Sequence, residues 1–127
     1  MGILIKKGVD FGTNLAPAGA RILEALKRIA AEVDFDITIT SARDGAHSGP
    51  TDPHHSGEAF DLRTKTLAPA QKQLLLTRLR QELYPKLPGE LRRYYVVLED
   101  AGGSNEHIHG QRRLGTTYSA YDFLSNA

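Results

Sequence analysis

The chain carries five histidines, and four of them fall into two tight groups, each beside a turn. The first group lies in Asp52-Pro53-His54-His55-Ser56-Gly57-Glu58-Ala59-Phe60-Asp61, which sets His54 seven residues ahead of Asp61. The second is Asn105-Glu106-His107-Ile108-His109. There are no cysteines, so thiolate zinc fingers, iron–sulfur clusters, disulfides and cysteine nucleophiles are all excluded. Any metal must be held by imidazole and carboxylate. Two imidazoles with one carboxylate suit zinc, and three protein ligands leave the fourth position that separates a catalytic zinc from a structural one. Zinc placed there would acidify a water and polarise a carbonyl.

Hydrolysis also needs a group to take the proton of that water and return it to the leaving amine. Glu106 and His107 are both candidates, and the local backbone decides between them. If residues 106 to 110 are extended, His107 and His109 share a face and Glu106 points away. If the turn at Gly102-Gly103 persists through Asn105, Glu106 and His109 converge instead as an i, i+3 pair. A carboxylate beside zinc is a common base, which tips the choice slightly toward Glu106, and the sequence leaves both open. Glu99 and Asp100 read as turn flanks or as outer partners to a ligand histidine. His47 and His55 read as solvated loop residues.

The elements that must position these groups are legible in the pattern. Ile22, Leu23, Leu26, Ile29, Ala30 and Val33 recur at helical spacing and predict a helix over Pro17 to Val33. Asp36 to Thr40 alternates, with β-branched residues throughout, and predicts a strand that delivers Ser41 to Arg43 at its end. Asp44 to Ser56 is broken by Gly45, Gly49-Pro50 and Asp52-Pro53 and reads as loop. Ala59 to Arg63 is a second strand. A second helix is expected from about Pro69 to Tyr84, buried through Leu74, Leu75, Leu79 and Leu83 and closed by Pro85 and Pro88-Gly89. Arg93 to Glu99 and His107 to Arg112 form a hairpin of two further strands, and the apolar tail from Tyr118 to Leu124 is expected to dock on the body. Short strands, partly joined by hairpins, indicate an α+β fold with a small, mainly antiparallel sheet and helices on one face.

The 127 residues suffice for one domain, residues 1–127, with one core. Sixteen Lys+Arg against fifteen Asp+Glu leave a net charge of +1, which provides no global field for nucleic acid or anionic lipid. A composition of 40% hydrophobic and 24% charged residues excludes a disordered chain. Ile3 to Ile5 followed by two lysines has the wrong order and length for a signal peptide, and no apolar run approaches a membrane span. The expectation is a chain made in the cytoplasm that reaches any target outside the membrane only if released. Nothing in the pattern speaks to oligomeric state.

His54-x-x-Gly57-x-Ala59-x-Asp61 resembles the H-x-x-G-x-A-x-D signature of the zinc D-Ala-D-Ala peptidases, the M15 group of a superfamily that includes lysostaphin-type enzymes and hedgehog domains. The resemblance runs from about Thr40 to Gln111. It implies that His54 and Asp61 bind zinc, and that the later E-x-x-H supplies the base, Glu106, and the third ligand, His109. Ser41-Ala42-Arg43 is similar to the family's S-x-x-R region, which implies that Arg43 binds the substrate's carboxylate or carbonyl. Asp52 stands where the family often has Ser, and Ile108 where it often has Trp. The His107-x-His109 pair is closer to relatives in which the first histidine takes part in catalysis.

The activity implied is a zinc metallopeptidase acting on the stem peptides of bacterial peptidoglycan, as a carboxypeptidase at D-Ala-D-Ala or as an endopeptidase of the L-Ala-D-Glu type. The small size resembles that of phage endolysin-type members. Hedgehog relatives imply an alternative, a zinc-bound binding module that hydrolyses nothing.

Overall fold

A computed structural model describes residues 2–12, 15–43, 54, 57–84 and 92–113. His47, His55, the greater part of the loop expected over Asp44 to Ser56, Pro85, Pro88-Gly89 and the tail from Tyr118 to Leu124 lie outside the described residues. Within them the elements run β1 (Ile3–Ile5), α1 (Pro17–Glu32), β2 (Ile37–Ser41), β3 (Ala59–Arg63), α2 (Pro69–Leu83), β4 (Tyr94–Glu99) and β5 (His107–Arg112). The fold is α+β, with a five-stranded mixed sheet in the order β1-β2-β3-β5-β4. β1 pairs parallel with β2, and the β2–β3, β3–β5 and β5–β4 pairs are antiparallel.

α1 begins at Pro17, where a missing N–H costs nothing and φ is already helical. Ile22, Leu26 and Ile29 line its buried face. It stops one residue earlier than its apolar spacing suggests, because Val33 turns to extended geometry while its N–H still reaches Ile29 O. At the start of α2, Gln71 reaches back to accept the Ala68 N–H at 2.8 Å, which satisfies one of the orphan donors of the first turn. The buried stripe of α2 is Leu75, Leu76, Leu79 and Leu83. Leu74, expected inside, is 44% exposed. A helix turns about 100° per residue, so the stripe that takes in 75, 76, 79 and 83 leaves 74 on its flank.

Both helices cover one face of the sheet. Phe60 and Leu62 of β3, Ile108 of β5, Tyr94 and Val96 of β4, and Ile37 and Ile39 of β2 pack with the helix stripes into one apolar cluster. Because side chains alternate along a strand, the intervening residues of the same strands project from the other face. Those residues include Asp61, His107, His109, Gln111 and Glu99.

β1 is the element that the sequence pattern does not announce. Three residues are too few for a periodic signal, yet they pair in register with Ile37 to Ile39. The edge at β4 is closed from within. The Tyr84 hydroxyl accepts the Val96 N–H at 2.9 Å and donates to Val96 O at 3.1 Å, and Arg80 Nε donates to the same carbonyl at 3.0 Å. These bonds occupy groups that an edge strand would otherwise offer to another chain. No helix among the described residues is long and apolar enough to cross a membrane.

Candidate metal centre

The centre is built on the middle of the sheet. Asp61 of β3 and His109 of β5 are directly opposed residues of an antiparallel pair, so their side chains stand side by side on the open face. The register places Arg63 opposite His107, and Glu99 of β4 opposite His107 from the other side. His54 arrives from outside the sheet. Its turn closes through the Gly57 N–H to His54 O at 3.1 Å, and Gly57 has the φ of +76° that favours glycine. Gly19, in the first turn of α1, lies so close to Gly57 O that a Cβ there would collide with it. The start of α1 therefore presses on the turn that carries His54.

Three ligand-type atoms converge. His54 Nε2 is 3.3 Å from Asp61 Oδ1 and 3.3 Å from His109 Nδ1, and the last two are 2.8 Å apart. Zinc with bonds of about 2.0–2.1 Å in a tetrahedron sets its ligand atoms about 3.3–3.4 Å from one another. The triangle is that size, with one short edge where a hydrogen bond joins Asp61 and His109.

The far nitrogens of both rings are held so that the near ones face the centre. His54 Nδ1 donates to Ala42 O at 2.8 Å. His109 Nε2 donates to Gln111 Oε1 at 2.6 Å, and the Gln111 amide is oriented in turn by donating from Nε2 to Arg112 O at 2.9 Å. A carbonyl only accepts, so each far nitrogen carries a proton; the near nitrogen of His54 can present a lone pair, and that of His109 can do so once it gives up the proton it donates to Asp61. Outer partners of this kind orient metal-binding histidines. Both rings are buried, His54 at 2% and His109 at 7% exposure, and Tyr95 packs its ring against His109 at 5.8 Å between centroids.

Burial alone would raise the Asp61 carboxyl, but hydrogen bonds and charge from His109 and His54 overcome it and hold the group below the ordinary carboxylate range. Burial alone would lower His109, but its bonds to Asp61 and Gln111 and the charges of Asp61 and Glu99 leave it above its ordinary value.

A second, overlapping set is present among the described residues. One atom each from Asp61, Glu99, His107 and His109 lies within 4.8 Å of the others. His107 Nδ1 donates to Asn105 O at 2.7 Å, which turns Nε2 toward Glu99 Oε1 at 3.2 Å and Asp61 Oδ1 at 3.7 Å. Glu99 also lies 3.6 Å from His109 Nδ1.

Of the two arrangements open for residues 106 to 110, the strand is the one found. His107 and His109 share the open face, and Glu106 turns away. The Glu106 carboxylate accepts from Thr64 Oγ1 at 2.6 Å, Lys72 Nζ at 2.9 and 3.1 Å, and Gly102 N at 2.8 Å. Those bonds, led by that from Thr64, lower the carboxyl from 4.5 to about 2. Glu106 thus ties the β4–β5 turn to the end of β3 and to α2. Arg43 follows β2, its N–H bonded to Asp10 O at 2.7 Å, and its side chain crosses Gly12 and approaches Gly57.

The sequence reading did not single out Gln111, Gly19, Thr64 or Lys72. Gln111 had a signal, since it shares the alternating face of His107 and His109. The other three act across tertiary contacts that no local pattern records. Comparison with protein-family models, with curated proteins and with solved structures returned no match for this chain.

Proposed function

We propose that the chain is a zinc-dependent peptidase that hydrolyses amide bonds in the stem peptides of bacterial peptidoglycan. The reading rests on one observation, the triangle of His54 Nε2, Asp61 Oδ1 and His109 Nδ1 with both far ring nitrogens held by carbonyl oxygens. The H-x-x-G-x-A-x-D resemblance supplies the substrate class and a D-Ala-D-Ala-peptidase-like fold. Zinc held by these three groups would polarise the scissile carbonyl and bring the pKa of water near 7.

His107 is the proton carrier in this reading. Its Nδ1 is fixed on Asn105 O and its Nε2 faces Asp61 across 3.7 Å, so Nε2 can take a proton from the attacking water and return it to the leaving amine. The C–N bond breaks, a carboxylate and an amine result, and Glu99 stabilises the transient imidazolium at 3.2 Å. Glu106 is already saturated by Thr64, Lys72 and Gly102, and its part is to hold the strand that presents His107 and His109. Arg43 would meet the substrate from the Gly57 side.

The test is mass spectrometry of muropeptides incubated with the protein, with chelator and with zinc restored. Fragments that vanish with chelator and return with zinc are expected, and their masses distinguish loss of a terminal D-Ala from a cut within the stem. Replacement His107→Ala should lower turnover by about 10²–10⁴-fold with zinc still bound one to one. Glu106→Gln should leave turnover within several-fold. A reversed pattern would move the base to Glu106.

The second reading, a zinc-bound module that hydrolyses nothing, draws on the Asp61, Glu99, His107 and His109 set. Four protein ligands would close the coordination sphere. In that case His107→Ala weakens zinc binding itself, and intact muropeptides are retained rather than cut.

A further inference from the structure

Beside the metal centre, on the open face, lies a cleft of about 480 Å³ that shares Asp61 and His107 with it. Three cations line this cleft: Lys6 after β1, Arg63 at the end of β3 and Lys65 in the turn that follows. Two carboxylates reach it, and both are engaged elsewhere. Asp61 is bonded to His109 and His54, and Glu106 to Lys72 and Thr64. Among the described residues no carboxylate pairs with Lys6, Arg63 or Lys65. The remaining lining adds neutral polar groups, the Thr66 hydroxyl and the Asn105 amide, beside Ser41 and Thr40, whose hydroxyl donates to Asp61 O at 3.4 Å.

We infer that this cleft is a subsite for a carboxylate carried by the substrate next to the scissile amide, with Arg63 and Lys65 as its specificity-determining residues. The inference rests on the peptidase reading for the word substrate, but the recognition chemistry stands on the cleft alone. A concave wall whose cations pair with no carboxylate among the described residues gives an anion charge-assisted hydrogen bonds, and the arginine fork can take a carboxylate with two of them. The register opposes Arg63 to His107, so the two residues are cross-strand neighbours whose backbones lie one strand spacing, about 4.8 Å, apart, and both line the cleft. Because Asp61 and His107 line the same cleft, a peptide held there by its carboxylate would carry its neighbouring amide toward the centre. Lys6 approaches from the far rim and adds long-range attraction that salt screens.

The test separates binding from hydrolysis. The full chain with zinc bound is titrated with N-acetylglutamate amide and, in parallel, with N-acetylglutamine amide, which has the same shape without the charge. Binding is followed by amide chemical shifts at Arg63, Lys65 and Thr66. The glutamate probe should bind roughly tenfold or more tightly than the glutamine probe, a difference worth about 1.4 kcal/mol, and shift those three amides. Arg63→Gln with Lys65→Gln should abolish the difference while zinc stays bound. Lys65→Gln alone, at an exposed turn position, should reduce it and serves if the double variant folds poorly.

Equal binding of the two probes overturns the inference. So does a preference that survives the double variant, because the carboxylate would then be on the metal or on Arg43. Tighter binding of inorganic phosphate than of the glutamate probe, with the same three amides shifted, would overturn the ligand class. Failure of any of these leaves muropeptide cleavage to be judged separately, and absence of cleavage leaves the probe preference intact.

Discussion

Gln111 holds the proton on Nε2 of His109, and so leaves Nδ1 as the nitrogen that can serve a metal. Its Oε1 accepts from Nε2 at 2.6 Å, and Arg112 O fixes the amide from behind. Gln111→Leu keeps the volume and removes the acceptor, and the expected result is a zinc affinity about 10–100-fold lower, read by competition with a chromophoric chelator. The charges of the centre also set a pH window for the metal-free chain. Asp61 is depressed below its ordinary 3.8, so its contribution is present above that value and is lost as pH falls through the lower folded value. Glu106 acts with the same sign between 4.5 and about 2. His109 is raised above its ordinary 6.5, so its contribution is whole below 6.5 and is lost as pH rises through the higher folded value. Thermal melting of the metal-free protein should therefore peak between pH 4.5 and 6.5. Zinc bound as proposed would have to displace the His109 proton, so its apparent affinity should fall with acidification beginning above pH 6.5. An affinity flat from pH 8 to pH 6 would remove His109 Nδ1 from the ligand set.

At the scale of elements, two contacts hold the site from a distance. Gly19 and Gly57 O are so close that Gly19→Ala must push α1 and the His54 turn apart. Overpacking of this kind costs about 1–3 kcal/mol, and the displacement should weaken zinc binding as well as lower the melting temperature. A variant that melts lower yet binds zinc as before would show that α1 does not position His54. Tyr84→Phe removes both bonds to Val96 on the β4 edge, with an expected loss of about 1–3 kcal/mol and no direct effect on the metal, checked by chemical denaturation. These elements also show what the sequence could reveal. α1, α2 and strands β2 to β5 were legible because their apolar periods are long enough to count, and the convergence of His54, Asp61 and His109 was anticipated only through the resemblance of their segment to a family signature. β1 is too short to register, and Leu74 rather than Leu76 was placed inside because helical spacing gives a stripe without its exact centre. Glu106 was read as a candidate base, and the bonds that hold it away from the open face lay beyond sequence reasoning for another reason. Its role depends on Thr64 and Lys72, 42 and 34 residues away.

For the whole molecule, the question is whether the metal makes the fold or the fold makes the site. Asp61 and His109 are opposed on neighbouring strands whose other faces are packed under α1 and α2, and His54 is fixed by Ala42 O and by the Gly57 turn. None of those supports involves a metal, and the apolar cluster has the size of a self-sufficient core. Zinc should therefore add to a fold that already exists, unlike a zinc finger, which is unfolded without its ion. Stripping the metal should leave the far-ultraviolet circular dichroism unchanged and lower only the melting temperature. With free zinc at 100 times its dissociation constant, the linkage is worth about 2.7 kcal/mol. For an unfolding entropy of about 2.1 cal/mol/K per residue this corresponds to roughly 10 °C. A chain that loses its helical signal when the metal is removed would show that the triangle of ligands is assembled by zinc, and the same experiment would then place the free energy of folding in the metal bonds rather than in the packed face of the sheet.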